Sequence, residues 1–240
     1  MCGATEERSS MASETAHLIA LMAAGDFQTP LAEQQQQQSE SREHFALLVA
    51  RARAGDATAF ERIMLETERK VVSTAWRMLG NREDARDATQ EVYLRVYKYL
   101  DRFKPEQEFQ GWLYRITINV CRDAARKQGR GAGVRRGGEE FSASPSGYER
   151  NAPESVSPDA DAEENAIRAQ QRSMLMRALR TLPEKERAAL ILRDMEGLTT
   201  EEVARVLRSR PVTVRSQISS ARAKLKIYCE RSLRTGERPA

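Results

Sequence analysis

Apolar residues recur every three or four positions through two stretches of this chain and lapse between them. In the first, Phe60, Ile63 and Met64 are followed by Val71, Val72, Ala75, Trp76 and Leu79, the period of an α-helix. The stripe resumes at Ala85, Ala88, Val92, Val96 and Tyr99, and again at Leu113, Ile116 and Val120. Gly55-Asp56 and Gly80-Asn81 punctuate these runs. Ten of the fourteen aromatic residues lie between Phe45 and Tyr114, which marks one folded core. The second stretch carries Ile167, Leu175, Ala178, Leu179 and Leu182. Pro183 then opens a new helix at its first turn, where a missing N–H costs nothing, and Gly197 closes it as a left-handed C′ residue. No segment alternates with the period of a strand. The fold class expected is all-α, with two small helical domains at 44–128 and 165–230. They are joined by a flexible linker at 129–164, rich in Gly, Ser, Pro and charge. The extension 1–43, with its glutamines at 34–38, is expected to be disordered, and 231–240 is a short tail.

The end of the second domain has a finer pattern. Thr199 and Glu202 suit a capping box ahead of Val203, Ala204 and Leu207. Arg208, Ser209 and Arg210 then form a turn, and Pro211 starts a helix with Val214, Ile218, Ala221 and Leu225 inward. Helix, three-residue turn, helix is the arrangement whose second helix enters the major groove of DNA. Val212, Arg215, Ser216, Ser219 and Ser220 fall on the opposite face. Seven basic residues and no acid lie between Arg205 and Lys226, which favours a phosphate-facing surface over a solvated one. Arg208 stands where such turns often use glycine.

The first domain offers two further surfaces. In 80–100, Asn81 suits an N-cap, and Glu83 and Asp84 suit the positive end of the helix dipole. Asp84, Asp87, Glu91 and Arg95 form one outer line, with Gln90 and Leu94 beside it. This line reads as a solvated face, a metal site or a docking face for a partner helix, and no histidine supports the metal reading. In 101–130, the loop residues Phe103 and Phe109 and the helix residues Trp112, Arg115, Asn119, Arg122 and Arg126 combine rings with cations and an amide. That mixture can stack on unpaired bases and hold their phosphates, although each ring taken alone suits a core position equally well.

These segments, in this order, resemble the extracytoplasmic-function sigma factors of the sigma-70 family. "GNREDARDATQEVYLRVYKYL" is similar to region 2.2, "FQGWLYRITINVCRDAARKQ" to regions 2.3 and 2.4, and the stretch from "LRTLPEKERAALILRDMEG" to "VTVRSQISSARAKL" to region 4. The resemblance implies a bacterial alternative sigma factor that binds core RNA polymerase and recognises and melts promoters. It assigns Asp84, Asp87, Gln90 and Glu91 to the β′ clamp helices of the polymerase. It assigns Phe103, Phe109, Trp112, Arg115, Asn119, Arg122 and Arg126 to the −10 element. It assigns Arg193, Thr213, Arg215, Ser216, Ser219, Ser220 and Arg222 to the −35 element, with a further contact between region 4 and the β flap. It also implies an anti-sigma partner, no cofactor, no metal and no catalytic residue. Arg210-Pro211-Val212 is shifted from the family's usual Pro-Val-Gly, so the −35 preference does not carry over.

Composition adjusts this picture slightly. A net charge of +4 favours an acidic partner mildly. Cys2, Cys121 and Cys229 have neither zinc nor disulfide spacing and suit a reducing cytoplasm. No apolar run reaches the length of a membrane span and no leader pattern opens the sequence, so no membrane insertion is expected. The alternatives are a helix–turn–helix regulator that binds operator DNA without polymerase and a metal-dependent enzyme built on the acidic line.

Overall fold

A computed structural model describes residues 31–104, 107–131 and 162–234, with side chains at 41–104, 107–127 and 170–232. The described backbone is helical, without strands. In chain order the helices are α1 (Leu31–Arg53), α2 (Ala57–Leu79), α3 (Arg82–Tyr99), a 3₁₀ turn (Leu100–Arg102), α4 (Phe109–Gly131), α5 (Ala162–Thr181), α6 (Glu184–Leu190), α7 (Thr200–Leu207) and α8 (Pro211–Arg234). After α6 the chain widens into a single π turn over Ile191–Met195.

Capping sets most of these limits. Asp56 accepts hydrogen bonds from the backbone N–H groups of Thr58 and Ala59 at the start of α2, and the Thr58 hydroxyl, then Arg51, then the Ala59 N–H hold its carboxyl down at about 2. Asn81 caps α3 through the Glu83 N–H. Gly80 ends α2 with φ 75°, and a Cβ there would meet Arg180 Cδ at 2.8 Å. Glycine is thus favoured there by its left-handed backbone, and the Arg180 side chain lies over the space a Cβ would take. Thr199 and Glu202 form the full capping box on α7, and Arg208 closes that helix with φ 51°.

Helices α1 to α4 enclose the first core. Ile63, Val71, Ala75, Val92, Val96 and Ile118 are fully enclosed. Phe109 stacks on Phe45 at 4.9 Å and meets Phe103 edge-on at 5.6 Å. Arg53, at the end of α1, donates to the carbonyls of Leu100 and Phe103. The loop before α4 is thereby pinned down, with Phe103 at its start and Phe109, the first residue of α4, both turned inward. The second core gathers Leu179, Leu182, Val203, Val214, Ile218 and Leu225, inward positions that the periodicity expected, together with Ala188 and Leu192, which it did not mark; Leu175 and Leu207, expected inward, are half-buried.

Three expectations change. The stretch 31–43 is helical, as a continuation of α1; glutamine, alanine and glutamate are good helix formers, and the helix is anchored by buried Phe45, Leu48 and Val49. The remainder of the extension, 1–30, and the middle of the linker lie outside the described residues, while α4 and α5 extend into the linker's two ends. Helix α8 runs on to Arg234, into the stretch read as a tail.

Replacing Phe109 by alanine should lower unfolding stability by about 3–5 kcal/mol. Urea denaturation followed by circular dichroism measures this, and a change below 1 kcal/mol would be inconsistent with a ring enclosed by Phe45, Phe103 and Trp112.

Candidate nucleic-acid interface

The two helical units pack against each other, and the seam runs along α4. At its centre is Glu196, next to the Gly197 that ends the π turn. Its Oε1 accepts from Thr74 Oγ1 at 2.9 Å and Arg77 Nη1 at 2.7 Å, and its Oε2 from the Tyr114 hydroxyl at 2.7 Å. The Glu196 side chain is 6% exposed. Burial first, then the adjoining carboxylate, push the Tyr114 phenol far above its ordinary range, so the phenol remains a donor. Arg187 spans the seam as well. It donates to Met78 O at the end of α2 (2.7 Å), and to Arg180 O and Leu182 O at the end of α5. One guanidinium therefore serves the carbonyl ends of two helices, where positive charge is favoured.

The −10 candidates fall into three groups. Phe103 and Phe109, expected to stack on a flipped base, are 3% and 2% exposed, with their ring faces filled by Phe45, Trp112 and each other. Trp112, Arg115 and Arg122 lie in the seam. Arg115 Nη2 donates to Arg205 O at 3.0 Å, and Arg122 faces Glu184 at 2.7 Å. Trp112 lines a cavity with Glu108, Gly111, Arg115, Arg205 and Val206. Burial and the nearby Arg208 charge lower the Arg115 pKa, and burial raises that of Glu108. Asn119 and Arg126 are exposed to solvent.

On α3, Asp87 and Gln90 are exposed and Asp84 and Glu91 half-buried. Leu94 (66% exposed) and Tyr97 stand beside them, uncovered. Glu91 pairs with Arg95 at 2.6 Å, and Arg95 reaches Asp123 of α4 at 3.0 Å. Among the described residues no group of three or more His, Cys, Asp or Glu side chains could hold a metal ion.

The −35 candidates divide by partner. Arg222 makes a two-pronged bond to Asp194 at 2.9 and 2.6 Å. Ser220 and Lys224 both bond Glu186, and Arg193 donates to Leu198 O. Thr213, Arg215, Ser216 and Ser219 are exposed along α8, and Arg215 touches Glu201 at 3.3 Å where both side chains are more than 60% exposed.

Residues 63–131 match the family model Sigma-70 region 2, and residues 172–225 match Sigma-70, region 4. The ECF RNA polymerase sigma-E factor of Escherichia coli is 31% identical over 180 residues, covering 73% of this chain and 89% of its own. The chain belongs to the extracytoplasmic-function sigma factors of the sigma-70 family. The RNA polymerase sigma-H factor of Pseudomonas aeruginosa is also 31% identical, covering 73% and 88%. The ECF RNA polymerase sigma factor SigE of Mycolicibacterium smegmatis is 36% identical over 66% of this sigma factor, which spans 57% of that relative's length. The fold is shared with CnrH, solved in complex with the cytosolic domain of CnrY (TM-score 0.55, 24% identity, 78% of this chain and 97% of that one). It is shared also with the sigma factor RpoE of Bartonella quintana, solved with the anti-sigma factor NepR (0.55, 20%, 71% and 96%).

The seam residues of this sigma factor, Thr74, Arg77, Arg187 and Glu196, were not singled out from sequence. One signal was present: Asp194 and Glu196 sit at a helix C-terminus, where the dipole disfavours carboxylates. Cations from elsewhere hold both.

Glu196→Ala should lower stability by about 3 kcal/mol, because it leaves Arg77 without its buried partner. Tyr114→Phe should cost about 1 kcal/mol. Hydrogen exchange should rise along 112–122 and 200–207 in Glu196→Ala; unchanged protection there would mean that this carboxylate does not hold the seam.

Proposed function

We propose that this sigma factor acts in the cytoplasm as a non-enzymatic initiation factor that directs core RNA polymerase to promoters through both of its helical units. The observation that carries the reading is the pairing, in one chain, of an uncovered acid-and-leucine stripe on α3 with a helix–turn–helix whose second helix presents an acid-free outward edge. Asp84, Asp87, Gln90 and Glu91 would meet the β′ clamp helices with Leu94 at the centre of the contact. An apolar centre with a charged rim is the usual anatomy of a protein interface. Region 4 would meet the β flap and read the −35 element through Arg215, Ser216, Ser219 and Thr213. Asn119 and Arg126 are open to the −10 element as the chain stands.

Trp112, Arg115 and Arg122 can serve the −10 element only after the seam parts, because DNA and region 4 compete for the same faces. We infer that polymerase, by holding α3 and region 4 at separate places, draws the units apart. Phosphates would then replace the Arg205 carbonyl and the Glu184 carboxylate as partners of Arg115 and Arg122. Parting would also take Arg115 away from Arg208, which relieves the like-charge repulsion between them in the closed arrangement. A protein of the anti-sigma class would hold the closed arrangement by covering both units; the Bartonella quintana sigma factor that shares this fold was solved with an anti-sigma factor. An operator-binding regulator would need no α3 stripe, so that alternative is not favoured.

Run-off transcription from genomic fragments, with core polymerase and with or without this protein, tests the reading. Discrete transcripts should depend on both. Asp87→Arg should abolish co-purification with core polymerase while leaving the circular dichroism unchanged. Asn119→Ala should reduce permanganate reactivity of the opened −10 thymines more than it weakens closed-complex binding.

A further inference from the structure

We propose that Val212 reads the 5-methyl group of a thymine in the −35 element, within one or two base pairs of a guanine read by Arg215. The proposal rests on the promoter-binding reading above and names the chemistry of one of its contacts.

Val212 is the second residue of α8 and is 71% exposed, more than any other large hydrophobic side chain among the described residues. It is no outlying part of the core. The inward stripe of α8 is Val214, Ile218, Ala221 and Leu225, none above 6% exposed, and a residue two positions before Val214 lies on the other side of the helix. Val212 instead shares a line with Arg215, Ser216 and Ser219, at the i, i+3, i+4 and i+7 spacing of one face, and all four are exposed.

The cations around this line are unequally available. Arg222 is bound to Asp194, Lys224 to Glu186 and Arg193 to Leu198 O. Arg215 is held only by an exposed contact at 3.3 Å, worth at most about 1 kcal/mol and easily exchanged for a base. The outward edge in the first two turns of α8 is therefore one arginine, hydroxyls and one valine.

The N-terminal end of a recognition helix is the part that reaches base edges. On the floor of the major groove the thymine methyl is the apolar group available, whereas the paired acceptors of guanine suit arginine. A β-branched side chain on a helix keeps one dominant rotamer, so Val212 presents fixed methyl groups and orders little on contact. Three residues advance about 4.5 Å along a helix and base pairs repeat at about 3.4 Å, which sets the spacing of the two bases.

The test uses the full chain in holoenzyme with core polymerase, on a promoter recovered by run-off transcription. Each −35 thymine is replaced in turn by deoxyuridine, which lacks only the methyl group, and promoter affinity is measured by competition. One position should lose about fourfold, the value of one buried methyl. Val212→Ala should lose a similar factor on the thymine promoter and become indifferent to deoxyuridine at that position, and Val212→Thr, of nearly the same shape, provides a second variant. Arg215→Ala should retain the deoxyuridine penalty. The proposal is overturned if no thymine is sensitive, or if the penalty persists undiminished in Val212→Ala, while transcription itself is normal. Absence of any polymerase-dependent transcript would overturn the functional reading, and this contact with it.

Discussion

The carboxylate of Glu196 is the interaction on which the arrangement of the two units depends. It gathers a threonine and an arginine from α2 and a tyrosine from α4 onto one buried side chain of the opposite unit. An enclosed anion without such partners would be costly. Conversely, the three donors specify one relative placement of the units, since each must point at a site less than 3 Å away. Apolar contact along α4 and α7 adds area but little direction. The polar hub provides the direction, and Arg187 reinforces it by finishing the carbonyl ends of α2 and α5 together.

That placement puts competing demands on α4. Its inner side completes the first core through Phe109, Leu113 and Ile118. Another side supplies Tyr114 and Arg115 to the seam, and the remainder leaves Asn119 and Arg126 in solvent. The helix cannot turn to expose the seam residues without dismantling the core, so only the other unit can leave. Parting at the seam is the lower-energy route, because the contacts that fix its direction are polar and water can take them over, whereas the packing inside each unit is apolar.

Much of this was legible in the sequence for reasons that can be named. The inward positions Ile63, Val71 and Ala75 of α2, Ala85, Ala88, Val92 and Val96 of α3 and the stripe of α8, with the caps at Asn81 and Thr199 and the left-handed Gly197, are local properties, set by a few consecutive residues, and the structure has them; Val72, Trp76 and Tyr99, read on the same stripes, are half-buried. The left-handed Arg208 was legible too, from the geometry that the turn demands. Phe103 and Phe109 were not, because a ring before a helix reads equally as core or as base platform. The decision rests with Arg53, fifty residues upstream, whose guanidinium draws the loop carbonyls inward. The reach of α1 back to Leu31 was hidden by composition: a glutamine run looks unfoldable alone but extends a helix already anchored at Phe45.

The fate of the basic residues around α8 follows the same division between local and distant information. A count of arginines and lysines suggested a uniformly phosphate-facing surface. The acids that neutralise part of it, Glu186 and Asp194, come from the preceding hairpin, and they hold Lys224 and Arg222 on the flank of the domain. What remains outward is narrower and less charged than the sequence implied. A basic flank held by acids still attracts a duplex at long range. Discrimination between sequences then falls to the few side chains at the start of α8 that have no committed partner. A surface of this kind, general in attraction and sparse in recognition, suits a subunit whose affinity for DNA is lent by a larger assembly and whose own part is to choose the site.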